Sequence, residues 1–156
     1  MAQLKYLCIM DGILNDEYFM RAALQEAKKA FDADEVPVGA VIVSNGMIIG
    51  RAHNLSERLN DVTAHAEMMA FTSAANHLGA KFLNNCTLYV TLEPCMMCAG
   101  AAYWTRISKV VFGATDEKRG YSKLGEGILH PSTTVVGGVL ENECSELITA
   151  YFKAKR

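Results

Sequence analysis

Apolar side chains recur at steps of three and four residues near the start of the chain, with charged residues between them. Phe19 and Ala23 belong to this series, and Asn15 and Asp16 precede it. This is the period of one face of an α-helix, and Asn and Asp are preferred immediately before a helix. The pattern therefore predicts an amphipathic helix that begins at Asn15 or Asp16 and ends near Ala33.

Shorter apolar runs rich in β-branched residues predict strands. The runs at 38–43 and 47–52 flank Asn45-Gly46, and Asn-Gly between two such runs is the strongest short-range signal of a β-hairpin. The first two strands are therefore predicted to be antiparallel. The remaining predicted strands lie at 86–92, at 109–114 and, more weakly, at 133–140.

The segments between the strands predict helices and one long loop. The predicted helices are 64–77, 95–103 and 141–153, and the glycine-bearing loop is 115–131. Crossovers of this kind imply parallel strand pairs with helices on both faces of the sheet, so the chain is predicted to be an α/β protein. We expect a single domain over 1–156, with 1–14 as an N-terminal extension. The methionines Met68, Met69, Met96 and Met97 are predicted to fill the core.

Composition and net charge restrict the classes of function that this protein could have. The 156 residues are 51% apolar and 21% charged, as in globular proteins. No apolar run is long enough to span a membrane, and the N-terminus lacks the pattern of a signal peptide, so we expect a cytoplasmic protein, whether Met1 or Met10 is its natural start. The net charge of −2 gives no general attraction to phosphate, so any contact with nucleic acid would be local.

Two short motifs carry the chemistry. His65-Ala66-Glu67 precedes Pro94-Cys95-Met-Met-Cys98, and His65 and Cys95 are 30 positions apart. His-x-Glu alone is expected by chance about 0.3 times in a chain of this composition, whereas Pro-Cys-x-x-Cys is expected about 0.003 times. The ordered pair is therefore specific.

These residue types suit a catalytic zinc site. Zinc favours imidazole and thiolate ligands, and three protein ligands with one open position are typical of catalytic sites. His65, Cys95 and Cys98 supply three ligands. Glu67 lies two residues after the histidine, so we expect it to move a proton between water and substrate.

Two other interpretations of the cysteines remain at this stage. Cys95 and Cys98 could form a redox dithiol, although the residues typical of thioredoxin-like sites are missing. Alternatively, a closed structural zinc site would need a fourth ligand. The candidates by residue type are Cys8, His53, Cys86 and Cys144.

The two motifs resemble the signature of the cytidine and deoxycytidylate deaminase superfamily, H-x-E followed by P-C-x-x-C. Within it, the segments 35–40, 63–67 and 89–101 are similar to those of bacterial tRNA adenosine deaminases. The resemblance implies a three-layer α/β/α sandwich around a five-stranded mixed sheet, a homodimer with Zn²⁺, and hydrolysis of the wobble adenosine in a tRNA anticodon loop to inosine. The chain is thus expected to be a zinc-dependent hydrolase.

The resemblance also implies substrate contacts. It makes Asn54 a hydrogen-bond donor and acceptor to the substrate, Val38 a wall against the base, Ala66 a backbone contact, and Phe152 a neighbour of the bound nucleotide. Asn54 could instead be a turn residue, and Val38 and Phe152 could be plain core.

Departures from the tRNA deaminases keep an alternative substrate open. The loop 119–126 differs from the run of small residues that many of them carry, and Tyr103-Trp104 is similar to a pair in guanine deaminases, although aromatic core packing would also explain it. A deaminase of a free base or nucleotide, such as guanine, cytosine or cytidine derivatives, is therefore the alternative. Lys118, Arg119 and Lys123 could touch phosphates or simply be solvated.

Overall fold

A computed structural model describes residues 14–156, and its elements follow the predicted order. The helices are α1 Asp16–Asp32, the short α2 Ser56–Leu59, α3 Ala66–Leu78, α4 Met96–Thr105 and α5 Glu141–Ala154. The strands are β1 Gly39–Ser44, β2 Met47–His53, β3 Cys86–Leu92, β4 Lys109–Ala114 and β5 Thr134–Val136. The predicted N-terminal extension lies outside the described residues except for Leu14.

The five strands form one mixed sheet in the order β2-β1-β3-β4-β5. β1 is antiparallel to both β2 and β3, whereas β3, β4 and β5 are parallel. The predicted hairpin is confirmed, and Asn45 and Gly46 both adopt positive φ angles at its turn, as a type I′ turn requires.

Helices cover both faces of the sheet, which makes the three-layer α/β/α architecture that was predicted. On one face, a core cluster joins residues of α3 and α4 to inward-facing positions such as Ile42, Leu88 and Val110. On the other, α1 and Cys144 of α5 pack against Val41 and Val111. The central strands β1, β3 and β4 are largely buried, which explains why β1 and β3 are apolar runs without alternation. The edge strands β2 and β5 are more exposed.

Several predictions need correction. The strand expected at 133–140 covers only three residues, because Gly138 and Leu140 adopt positive φ angles that end it. The loop 115–131 contains a 3₁₀ turn, Tyr121–Leu124. Met96 does not fill the core: its surface is 64% exposed, because the first turn of α4 points it outward. Trp104 is 77% exposed, so core packing does not explain it.

The fold places the ends of several elements at one edge of the sheet. The carboxyl end of β3 leads through Glu93 and Pro94 into α4. The backbone N–H of Leu55, just after β2, donates to the carbonyl of Ala64, just before His65. Residues 54–65 therefore lie beside the start of α3, which brings both motifs to this edge. Among residues 14–156, the helices are all too short or too polar to cross a membrane.

Candidate active site

His65 and Cys95 each stand immediately before the first residue of a helix. His65 has the extended backbone of an N-cap ahead of α3, and Cys95 has the same conformation ahead of α4. Neither side chain caps its own helix, so the imidazole and the thiol are free to point elsewhere. They point at each other.

Three ligand atoms from the two motifs meet in one cluster. The Nδ1 of His65 lies 3.7 Å from the Sγ of Cys95 and 3.5 Å from the Sγ of Cys98. All three atoms lie within 4.8 Å of one another, which leaves space for one ion between them. In residues 14–156, no other group of at least three potential ligands converges in this way.

The surroundings of Cys95 and Cys98 shift the pKa values of their thiols in opposite directions. The Cys95 thiol accepts hydrogen bonds from Cys98 and His65, which lower its pKa to about 4. The pKa of Cys98 is raised, because its hydrogen bond to Cys95 and its burial both favour the thiol. The pKa of His65 is raised by its hydrogen bond to Cys95. Before any metal binds, these shifts favour the thiolate at Cys95 and the protonated thiol at Cys98.

Glu67 lies in the first turn of α3 and is almost completely buried. Burial raises its pKa to about 7, and its carboxyl group is hydrogen-bonded to Cys98. A carboxyl group whose pKa is near neutrality can both accept and return a proton under physiological conditions. The structure therefore places a suitable proton carrier against the ligand cluster.

The predicted substrate residues are partly brought together. The N–H of Asn54 donates to the carbonyl of Val38 at 3.0 Å, and both residues are buried. Ala66 is fully buried beside His65. Phe152 is 47% exposed on α5, with Tyr151 as its aromatic neighbour.

Two buried carboxylates near the site had no predicted role. Glu35 is fully buried and accepts hydrogen bonds from Asn54, Glu57 and Arg58. Glu93 is 2% exposed and accepts from the backbone N–H groups of Asp116 and Ser122. For Glu93, the available signal was an acidic residue between an apolar run and Pro94, because a carboxylate is buried only when it has partners. Glu35 follows Asp34 and has no such signal.

Glu93 fixes the loop that follows β4 against the start of α4. Gly120 forms a β-bridge with Cys95, and the N–H of Tyr121 donates to the carbonyl of Pro94 at 2.9 Å. A side chain at position 120 would collide with the Glu93 carboxylate, so only glycine allows this approach. The positive charge of Arg119 in this loop lowers the pKa of His65, but the opposing effect of the hydrogen bond to Cys95 is larger.

Comparison with known proteins places this geometry in a family. A family model described as the cytidine and deoxycytidylate deaminase zinc-binding region matches residues 14–114. The chain belongs to this deaminase family. The match covers the helix α1, both motifs and the first four strands, which are the parts that build the ligand cluster.

Individual relatives are similar over most of the chain. A tRNA-specific adenosine deaminase of Bacillus subtilis is 50% identical over 146 residues, which cover 90% of this chain and 91% of that protein. A structure solved in work on A-to-I editing by tRNA:A34 deaminases has a TM-score of 0.79 and 42% identity, covering 83% of this chain and 98% of its own. A guanine deaminase structure from Bacillus subtilis has a TM-score of 0.64 and 40% identity over 71% of this chain and 70% of its own.

The donor set of this deaminase fits zinc. One imidazole nitrogen and two thiol sulfurs are ligands that zinc prefers, and three protein ligands leave a position for water. The candidates for a fourth ligand within the described residues, His53, Cys86 and Cys144, lie outside the cluster. Cys8 lies outside the described residues.

Proposed function

We propose that this zinc-dependent deaminase converts adenosine at the wobble position of a tRNA anticodon loop to inosine, with release of ammonia. The observation that carries the proposal is the meeting of His65, Cys95 and Cys98 in one cluster with a buried Glu67 against it. The choice of RNA is supported by relatives named tRNA-specific adenosine deaminase, which are 42–50% identical over about nine-tenths of this chain.

Each residue of the site has a chemical role in this proposal. His65, Cys95 and Cys98 hold the zinc ion. When bound, zinc supplies a Lewis acid that makes water a nucleophile near neutral pH. A carboxylate oxygen of Glu67 accepts a proton from the attacking water and gives it to the ring nitrogen. It then accepts the second proton, from the hydroxyl group that the attack adds to the ring carbon, and gives it to the amine, which leaves as ammonia while the carbon–oxygen double bond forms. The overall balance is one water consumed and one ammonia released.

The predicted substrate contacts remain part of the proposal. Asn54 hydrogen-bonds the substrate, Val38 packs against the base, and Ala66 offers its backbone. Phe152 lies near the bound nucleotide. Support comes from the hydrogen bond between Asn54 and Val38 and from the position of Ala66 in the first turn of α3, next to the ligand His65.

Hydrolysis of free guanine is the second candidate. The 40% identity to a guanine deaminase structure and the Tyr103-Trp104 pair favour it. RNA and a free base differ in one physical property that can be measured. Phosphate contacts make RNA binding weaken as salt rises, whereas binding of an uncharged base has no such contacts.

A parallel assay separates the two candidates. Purified protein is offered an anticodon stem-loop, guanine, cytosine and cytidine, and released ammonia is measured for each. We expect ammonia from the stem-loop alone, with a KM that rises between low and high salt. Faster release from guanine, with no salt dependence, would contradict the tRNA assignment and leave the deaminase chemistry intact.

We further propose that the protein is a cytoplasmic homodimer with a single domain over 1–156. The resemblance to tRNA deaminases supports the dimer, and a tRNA substrate supports the location. Sedimentation equilibrium tests the dimer directly. A mass near that of one 17.0 kDa chain at the enzyme's assay concentration would contradict it.

A further inference from the structure

Glu35 is the most completely buried carboxylate of the site region, and its partners are unusual. It lies just after α1, with no exposed surface. A buried carboxylate without partners is strongly unfavourable, so the interactions it makes are built into this part of the fold. All of them lead to the segment that carries Asn54.

The partners of Glu35 are donors. The backbone N–H of Glu57 donates to its Oε2 at 3.1 Å, and that of Arg58 donates to its Oε1 at 2.7 Å. Backbone N–H groups cannot accept hydrogen bonds, so both carboxylate oxygens act as acceptors. The Asn54 side chain contacts the same Oε2 at 3.1 Å.

This arrangement decides which way the Asn54 amide faces. The oxygen and nitrogen of an asparagine amide have nearly the same shape, and their assignment rests on the surrounding hydrogen bonds. Only the Nδ2 group can donate to an accepting carboxylate. The second hydrogen of Nδ2 points to the Oγ of Ser56 at 2.9 Å, so both hydrogens are used within the protein.

The other end of the amide is available to a ligand. Within residues 14–156, the hydrogen bonds of the Asn54 side chain are the two made by Nδ2. Every fully buried side-chain oxygen or nitrogen in the same part of the chain has a partner. The Oδ1 of Asn54 is therefore not fully buried, and its lone pairs are available to a ligand.

We infer that Glu35 is a positioning residue that fixes the Asn54 amide so that Oδ1 is presented to the substrate as a hydrogen-bond acceptor. The inference rests on the proposed function, because that function gives Asn54 its substrate. The group that Oδ1 recognises is a donor, either a hydroxyl of the nucleotide sugar or an N–H of the base.

The first test examines the amide without any substrate. In ¹⁵N–¹H spectra of the protein, the Asn54 side-chain NH₂ signal is identified by its loss in Asn54→Ala. We expect slow exchange of these protons with solvent in the parent protein and fast exchange in Glu35→Gln. The replacement brings a donating NH₂ into a cluster of donors and removes the charge that holds Asn54. Unchanged exchange would overturn the inference.

The second test is a double-mutant cycle with the anticodon stem-loop as substrate. Glu35→Gln should lower kcat/KM about tenfold, mainly through KM, as expected for the loss of one hydrogen bond to a charged group. In the Asn54→Ala background, Glu35→Gln should change kcat/KM less than about twofold, since residues that act through one another are not additive. Independent, additive losses would show that Glu35 does not act through Asn54.

Two further variants guard against a simple loss of folding. Ser56→Ala removes the other acceptor of Nδ2 at the partly buried first residue of α2, and it should raise KM by a smaller factor than Glu35→Gln does. Tyr89→Phe removes a partly buried hydrogen bond to Asp16 on the opposite face of the sheet, and it should leave KM unchanged at a similar loss of stability. A parent protein inactive on the stem-loop but with a protected Asn54 amide would contradict the proposed function and not the role of Glu35.

Discussion

His65 and Cys95 occupy the same structural position on two different helices. Each is the extended residue before the first helical turn, and the Nδ1 of one lies 3.7 Å from the Sγ of the other. The unpaired N–H groups and dipoles of both helices are positive at these ends, and they favour negatively charged groups such as thiolates. The ligand cluster is therefore built where two helices begin, and Glu67 and Cys98 lie in their first turns.

Glu67→Gln should retain zinc and lose turnover. The amide has the same shape as the buried carboxyl group, so the ligands stay in place, but it cannot carry a proton between water and the departing amine. We expect kcat on the stem-loop to fall by about 10²–10⁴-fold with an unchanged ratio of zinc to protein. The measurements are ammonia release and elemental analysis.

The matched control for Glu67→Gln is Glu26→Gln. Glu26 is a carboxylate of α1 that is 3% exposed and pairs with Lys29, away from the ligand cluster. Its replacement should leave kcat within about twofold. Equal losses of kcat in both variants would mean that burial of a charge, rather than proton transfer, explains the effect at Glu67.

Cys98→Ser should weaken zinc binding, and Cys144→Ala should not. Both thiols are buried, but only Cys98 belongs to the ligand cluster, while Cys144 packs against Gly113. A hydroxyl is a poor zinc ligand compared with a thiolate, so we expect affinity to fall by more than about a hundredfold. Competition with a chelating dye measures this. Full zinc occupancy in Cys98→Ser would exclude the assigned ligand set.

Zinc binding should strengthen as pH rises. In the metal-free protein the pKa of Cys95 is lowered to about 4, so it is already a thiolate at neutral pH. The raised pKa of Cys98 keeps a proton on this thiol, and the raised pKa of His65 favours its protonated form. Protons on these groups must leave, because zinc binds thiolate and neutral imidazole. We expect release of between about one and two protons per ion near pH 7.

Titration of zinc into metal-free protein in a weak buffer, followed with a pH indicator, counts these protons. The logarithm of the zinc association constant, corrected for the buffer and the competing chelator, should rise correspondingly between pH 6 and pH 8. An affinity that is independent of pH over this interval would contradict the protonation states assigned to Cys98 and His65.

The predictable parts of this protein are those governed by local sequence. The period of α1, the Asn45-Gly46 turn and the strand Cys86–Leu92 follow from neighbouring residues, and the structure confirms them. The ligand cluster was also predictable, because His-x-Glu and Pro-Cys-x-x-Cys form a rare ordered pair. The sequence predicted His65 and Cys95 inside their helices. The backbone angles of the structure were needed to show that each residue is an N-cap that precedes its helix.

The parts that escaped prediction depend on contacts between distant segments. Glu35 and Glu93 are buried because backbone N–H groups 22 and 23 residues away along the chain donate to them, and the local sequence does not identify these donors. Met96 is apolar but 64% exposed, and its exposure also depends on tertiary packing and not on neighbouring residues in the sequence. The packing of α4, which also places Cys95 and Cys98 in the ligand cluster, decides which side chains of its first turn face solvent.

Two glycines should respond in opposite directions to replacement by alanine. Gly39 begins β1 where the strand passes closest to α1, and a Cβ there would overlap the backbone of Ala23 and Ala27. Backbone atoms cannot move aside as a flexible side chain can, so Gly39→Ala should lower the free energy of unfolding by about 1–3 kcal/mol or more. Gly100 lies within α4, where a Cβ meets nothing within 4 Å.

Gly100→Ala should raise the free energy of unfolding by about 0.5–1 kcal/mol, because alanine restricts the unfolded chain and is the better helix former. Urea denaturation of the two variants and the parent protein, at one protein concentration and with zinc content matched, measures both changes. If Gly39→Ala were as stable as the parent, the packing of α1 on β1 described here would be wrong.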